Sequence, residues 1–178
     1  MRDRLTRNGL VALFAKTSYL AGAAALVGSA AVALPEGSPW GSANPQAAEH
    51  CGTCHFGYDA ETDAEALVLR GLPKKPVPGK TYELQITFDD PEAIVAGFQL
   101  LASDGEFKAN TGNIEYLGAA IRSTRAWHAD EGFSWTLSWI APEVPSIAIT
   151  IYIAAVGGND ALSPFGDRAF FRTYETSL

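Results

Sequence analysis

Both cysteines of this 178-residue chain stand in one run, "EHCGTCHFG", as Cys51 and Cys54, and His55 follows at once. Three chemistries use two cysteines this close. A redox dithiol uses C-x-x-C, usually at the start of a helix in a βαβ context. A structural zinc site needs four ligands, usually supplied as two pairs. A c-type haem needs C-x-x-C-H, with two thiols bonded to the vinyl groups and the next imidazole on iron. Residues i, i+3 and i+4 share one side of a helical turn, so a single turn could hold the porphyrin edge and the iron together. One covalent haem c is the expected cofactor, anchored by Cys51 and Cys54 with His55 as proximal ligand.

The sixth iron position needs another donor. The only methionine is Met1, in the leader, so methionine ligation is excluded for the domain that follows. The chain has three histidines. His50 directly precedes Cys51, too close in the chain to swing to the opposite face of the same porphyrin; it could bind another metal, but reads rather as an exposed histidine. His128, in "STRAWHADEGFSW", is the candidate distal ligand, imidazole being the best remaining donor. Lys74, Lys75 or a tyrosine phenolate are alternatives, as is an open site for a gas or peroxide. Two imidazoles would set a lower potential than a His/Met pair and would favour electron transfer over small-molecule chemistry.

Haem attachment of this kind takes place outside the cytoplasm, and the N-terminus supplies that address. Arg2, Arg4, Arg7 and Lys16 make a basic start, eighteen uncharged residues follow (17–34), and Ala31-Val32-Ala33 fits a cleavage site. Residues 9–34 would also be long enough for an uncleaved membrane anchor with the arginines left in the cytoplasm. Both readings place residue 35 onward in the periplasm or another extracytoplasmic space. The first 34 residues carry four basic groups and one acidic, so the net charge of −7 becomes −10 for the remaining 144 residues. That surface argues against nucleic acid and suits solubility or a basic redox partner.

The chain divides into a signal or anchor (1–34), a linker and haem-binding segment (35–79), and a sandwich (80–178). "PEGSPWGSANPQAAEH" reads as an extended lead-in. "YDAETDAEALVLRGLP" reads as a short helix, with Thr62 and Glu65 at capping-box spacing and Gly71 and Pro73 as its stop. From Thr81 the period changes to two. Tyr82, Leu84, Ile86 and Phe88 share one face, as do Phe133, Trp135, Leu137 and Trp139. "AIVAGFQLLASDG", "SIAITIYIAAVGG" and "DRAFFRTYETSL" read as further strands. About seven strands with turns between them predict an all-β fold: an antiparallel Greek-key, immunoglobulin-like sandwich after a short haem-binding helical turn.

Most aromatics are expected in that core. Trp127 and Phe56 are the nearest in sequence to the haem candidates. Asp89-Asp90 and Asn159-Asp160 fall in turns. No phosphate loop, Ser/His/Asp set or paired catalytic carboxylates stand out, so an electron-transfer protein is expected rather than an enzyme.

Several segments occur together in order: Pro78-Gly79 with Tyr82, Gly97-Phe98-Gln99, Trp135 and Trp139 with Ala141-Pro142, then Asn159-Asp160 and Gly166-Asp167. With the preceding C-x-x-C-H run, they resemble the reeler (reelin-like) β-sandwich domains of exported bacterial proteins, the group labelled choice-of-anchor V. The resemblance covers about residues 50–176. It implies the sandwich and export, and no particular activity. Relatives with a sorting anchor continue past the sandwich, whereas this sequence ends at Leu178, so the expected tether is N-terminal.

The expectation is therefore an exported monohaem c-type cytochrome carrying single electrons. Its partner would be a redox protein, or a membrane redox or photosynthetic complex that it serves as an accessory subunit. The alternative is a non-haem structural or interaction module with a Cys51–Cys54 disulfide.

Overall fold

The computed structural model describes residues 37–144, 148–161 and 163–177. The expected signal or anchor segment, 1–34, lies outside them. Among the described residues no helix is long and apolar enough to cross a membrane.

Among the described residues the elements, in chain order, are a one-turn helix α1 (Cys51–Cys54) and ten strands. These are β1 (Leu67–Arg70), β2 (Thr81–Phe88), β3 (Val95–Ala102), β4 (Glu106–Ala109), β5 (Ile114–Leu117), β6 (Ala120–Ser123), β7 (Trp127–His128), β8 (Ser134–Ile140), β9 (Ala148–Gly158) and β10 (Arg168–Ser177). A single 3-10 turn, Ala129–Glu131, follows β7. Every strand pair is antiparallel. One sheet runs β1-β2-β8-β4; the other runs β10-β9-β3-β6-β5, with β7 beside the start of β3. The two sheets face each other as a sandwich, as the period-two runs predicted.

Alternation decides which side chains enter the core. Leu84, Ile86 and Phe88 of β2 and Trp135, Leu137 and Trp139 of β8 are buried, and their intervening residues are not. They pack against Phe98 and Leu100 of β3, Ile151 and Ile153 of β9 and Phe170 of β10. Removing this apolar surface from water, at roughly 25 cal/mol per Å², is the main force closing the sandwich.

Residues 58–73 do not form the expected helix. A turn at Thr62-Asp63, with Asp63 at φ 56°, leads into β1. Leu67 and Leu69, two apart, both enter the core, and β1 pairs with β2 from Leu67↔Phe88 to Arg70↔Gln85. The local capping signal is outweighed by pairing and burial against β2, which a helix at that position could not supply. The 35–79 segment thus contributes a strand to the sandwich as well as the lead-in.

β9 is buried on both faces, which explains its nearly continuous apolar sequence. Its inner face meets the core. Its outer face, with that of β10, is covered by residues 37–61, which cross the six-stranded sheet as a strap. Arg122 of β6 donates to Ser38 O and lies 4.3 Å over the Trp40 ring. Buried Gln99 of β3 accepts from Ala43 N at 3.2 Å and donates to Ser38 Oγ (2.7 Å) and Pro39 O (2.8 Å). Ala43 and Cys51 then pack on Ala154, Ala169 and Phe171. The strap ends at a parallel bridge between Glu61 and Phe170.

Candidate functional site

The strap carries the cysteines and His55 onto the outer face of β9 and β10. α1 is one turn long, closed by His55 N donating to Cys51 O at 3.0 Å. His50 is its N-cap. The His50 Nδ1 accepts from Gly52 N at 3.2 Å, and the ring stands edge-on to Phe171 at 5.5 Å. His50 is therefore half-buried and engaged in the fold, where the sequence suggested an exposed residue.

The turn separates the two thiols. Cys51 is buried against Ala154, Ala169 and Phe171, and burial pushes its thiol up to about 12, against a smaller opposing pull from its backbone hydrogen bond. Cys54 is exposed. Both are free thiols. The disulfide alternative is thus not formed here, with one side chain turned to the sheet and the other to solvent.

His55 is held by a residue that motif reasoning did not single out for chemistry. Its Nδ1 lies 2.7 Å from Asp167 Oδ2. The carboxylate only accepts, so Nδ1 carries a proton, and in the neutral ring Nε2 then keeps its lone pair. Asp167 stands just before β10, in the connection from β9. Its side chain is 9 % exposed and that of His55 25 %. Two glycines make room. A Cβ on Gly158 would lie 3.0 Å from Asp167 Oδ1, and one on Gly57 would lie 2.5 Å from Gly166 N. Gly166 itself takes φ +89°, the left-handed region that glycine enters without strain. Phe56 and Phe165, the residues beside His55 and Gly166, are exposed and meet edge to face at 5.4 Å.

His128 lies at the same end of the six-stranded sheet. It pairs with Val95, and Val95 pairs with Gly158. Directly paired residues present their side chains to one face. Val95 Cγ2 and Asp167 Oδ1 both crowd the Cβ position of Gly158, so His128 and Asp167 share the outer face. Asp167, Gly158, Val95 and His128 follow across the sheet, which separates the first and last backbones by three strand spacings, about 14 Å. His128 is exposed, and its backbone N–H donates to Glu131 Oε1 at 3.0 Å. Two bonds from Arg125, at 3.0 and 2.7 Å, together with that N–H hold the Glu131 carboxyl down at about 2. The structure thus brings His55 and His128 to one face and one end, without direct contact.

Other candidates disperse. Trp127 turns to the inner face, edge-on to Trp135 at 6.0 Å, while Phe56 stays outside with His55. Lys74 and Lys75 lie in the β1–β2 connection, at the opposite end of the sandwich from Asp167. Asp90 is committed to Arg168 at 3.1 Å. Among the described residues no group of three or more His, Cys, Asp or Glu is arranged to hold a metal ion. A haem would therefore depend on thioether bonds and axial imidazole.

The residues fit a c-type haem at two of three anchoring points. Cys54 is open, and His55 presents a bare Nε2 with its other nitrogen tied to a carboxylate, the usual arrangement of a metal-ligating histidine. Cys51 fits only when its thiol is reached outside the cluster with Phe171.

No family model matches the chain, and no curated protein does. Solved structures do, and two of them are reeler domains with a TM-score of 0.50. The Reelin-N domain of F-spondin matches with TM-score 0.50 and 17 % identity over 66 % of this chain and 88 % of that one. The human F-spondin reeler domain matches with TM-score 0.50 and 16 % identity over 68 % and 94 %. The sandwich therefore has the reeler fold.

Proposed function

We propose that this reeler-fold chain is an exported monohaem c-type cytochrome that passes single electrons to a redox protein or membrane complex, with Cys51 and Cys54 anchoring the haem and His55 as proximal ligand. The observation that carries the reading is the His55 Nδ1–Asp167 Oδ2 bond at 2.7 Å, which leaves Nε2 free at the end of a C-x-x-C-H turn. Bound there, a haem would supply reversible one-electron exchange. The chain's own part is to orient the imidazole, fix its tautomer and expose Cys54. His128, on the same face, is the candidate distal ligand. Extracytoplasmic placement, by cleaved signal or by anchor at residues 9–34, belongs to the same proposal.

Burial of Cys51 favours one second reading, a non-haem interaction module whose thiols take no cofactor. A reduced-minus-oxidised visible spectrum of the exported protein, taken after denaturing extraction of unbound haem, separates the two. A surviving c-type α-band supports the cytochrome. Its absence, in a host with working haem attachment, leaves the module.

A further inference from the structure

We propose that Asp167 is a positioning residue that holds the redox potential of the site low through the His55 imidazole; this rests on the haem reading above. The second nitrogen of a ligating histidine can donate to a carboxylate, a backbone carbonyl or water, and of these only the carboxylate brings a full negative charge. Here it does so at 2.7 Å.

The charge acts with little dilution. The Asp167 side chain is 9 % exposed, so water screens it weakly. The cation next to it in sequence, Arg168, is turned the other way and spends its guanidinium on Asp90 at 3.1 Å and Glu92 at 3.3 Å. A negative charge held on Nδ1–H draws the proton toward oxygen and makes the ring a stronger donor through Nε2. A stronger donor beside a fixed negative charge favours the more positively charged, oxidised metal. Hydrogen bonding beyond the axial ligand is one of the levers by which a protein sets a haem potential.

The surroundings make this contact specific. Asp167 Oδ1 occupies the space left by the missing side chain of Gly158, and the close passage of Gly57 past Gly166 lets the strap bring His55 within reach. Any side chain at 158 would press on the carboxylate.

The test uses the haem-loaded protein and three variants. Asp167→Asn removes the charge and keeps the shape. Asp167→Glu keeps the charge. Gly158→Ala displaces the carboxylate without removing it. Covalent haem is first verified by the α-band after denaturing extraction, and the midpoint potential is then read by spectroelectrochemical titration. Asp167→Asn is expected to titrate at higher potential than the parent, Asp167→Glu to return toward it, and Gly158→Ala to fall between. In the haem-free chain, ¹⁵N spectra are expected to show His55 protonated on Nδ1, with that preference lost in Asp167→Asn. An Asn variant with an intact α-band and an unchanged potential overturns the proposal. So does a parent His55 protonated on Nε2 alone. A parent chain with no α-band sinks the haem reading itself, a different outcome visible before any potential is measured.

Discussion

Gly57 and Gly166 meet backbone to backbone: a Cβ on Gly57 would lie 2.5 Å from Gly166 N and 3.0 Å from Gly166 Cα. The strap can close on the β9–β10 connection only because Gly57 has no side chain; a Cβ on Gly166 would point instead at Asn159 Nδ2, 2.6 Å away. That contact lies two residues past His55 on the strap and one before Asp167 on the β9–β10 connection. Gly57→Ala is therefore expected to push the strap off and break the His55–Asp167 bond. Overpacking of this kind costs about 1–3 kcal/mol. Chemical denaturation should show the loss, and the His55 ring resonances should move. Gly112→Ala, where a Cβ meets nothing within 4 Å, should change neither.

The two thiols should differ in reactivity. In the folded haem-free chain, alkylation at pH 8 is expected to label Cys54 and spare Cys51, read by peptide mass spectrometry. The raised Cys51 thiol also links stability to pH. Folded, it holds its proton to about 12, against 9.0 for an ordinary thiol. Below the ordinary value both states are protonated and its contribution is complete. Above it the unfolded chain loses the proton first, so this contribution falls with pH, by up to ~1.4 kcal/mol per unit, until the folded value is reached. Comparing Cys51→Ala with the parent across pH 9 to 12 isolates that slope.

Gln99 is the strap's main polar anchor. Gln99→Ala leaves the buried Ala43 N without its partner, at a cost of about 1–3 kcal/mol, and also removes a donor from Ser38 Oγ and from Pro39 O, which keeps Ser42. Amide exchange should speed up across residues 38–55 and stay slow in β2 and β8, whose core packing is untouched. Labelling of Cys51 should accelerate in parallel. Fast exchange throughout the sandwich would mean that the strap is not a separate unit.

His128→Ala tests the sixth ligand. In the haem-loaded protein it is expected to convert a low-spin spectrum to high-spin while leaving the α-band of extracted material in place. An unchanged low-spin spectrum removes His128 from the site. Because His128 is exposed, the substitution should cost stability less than about 0.5 kcal/mol.

Much of the fold was legible in the sequence. The period-two runs of β2 and β8 name their own buried faces, because side chains in a strand alternate and water sorts them. That Cys51, Cys54 and His55 stand on one turn was legible too, since i, i+3 and i+4 spacing is local. Local periodicity could not foresee β1: Thr62, Glu65 and Leu67 carry helix signals, and only the open edge of β2, distant in sequence, turns Leu67–Arg70 into a strand.

The site itself was half hidden for the same reason. Spacing placed both thiols on one side of a turn, but the cover of β9 and β10 decided that Cys51 faces Phe171 and Cys54 faces water. Trp127 and Phe56 looked like neighbours of one cofactor, yet the sheet passes between them. Asp167 is 112 residues from His55. No pattern in the residues between them marks the pair. Sequence by itself determined the period-two strands, the C-x-x-C-H turn and the acidic balance, because each depends on near neighbours or on composition. Tertiary structure alone decided which imidazole nitrogen is free and which charge stands behind it, because those depend on groups that meet only when β9 and β10 are paired and the strap has closed over them.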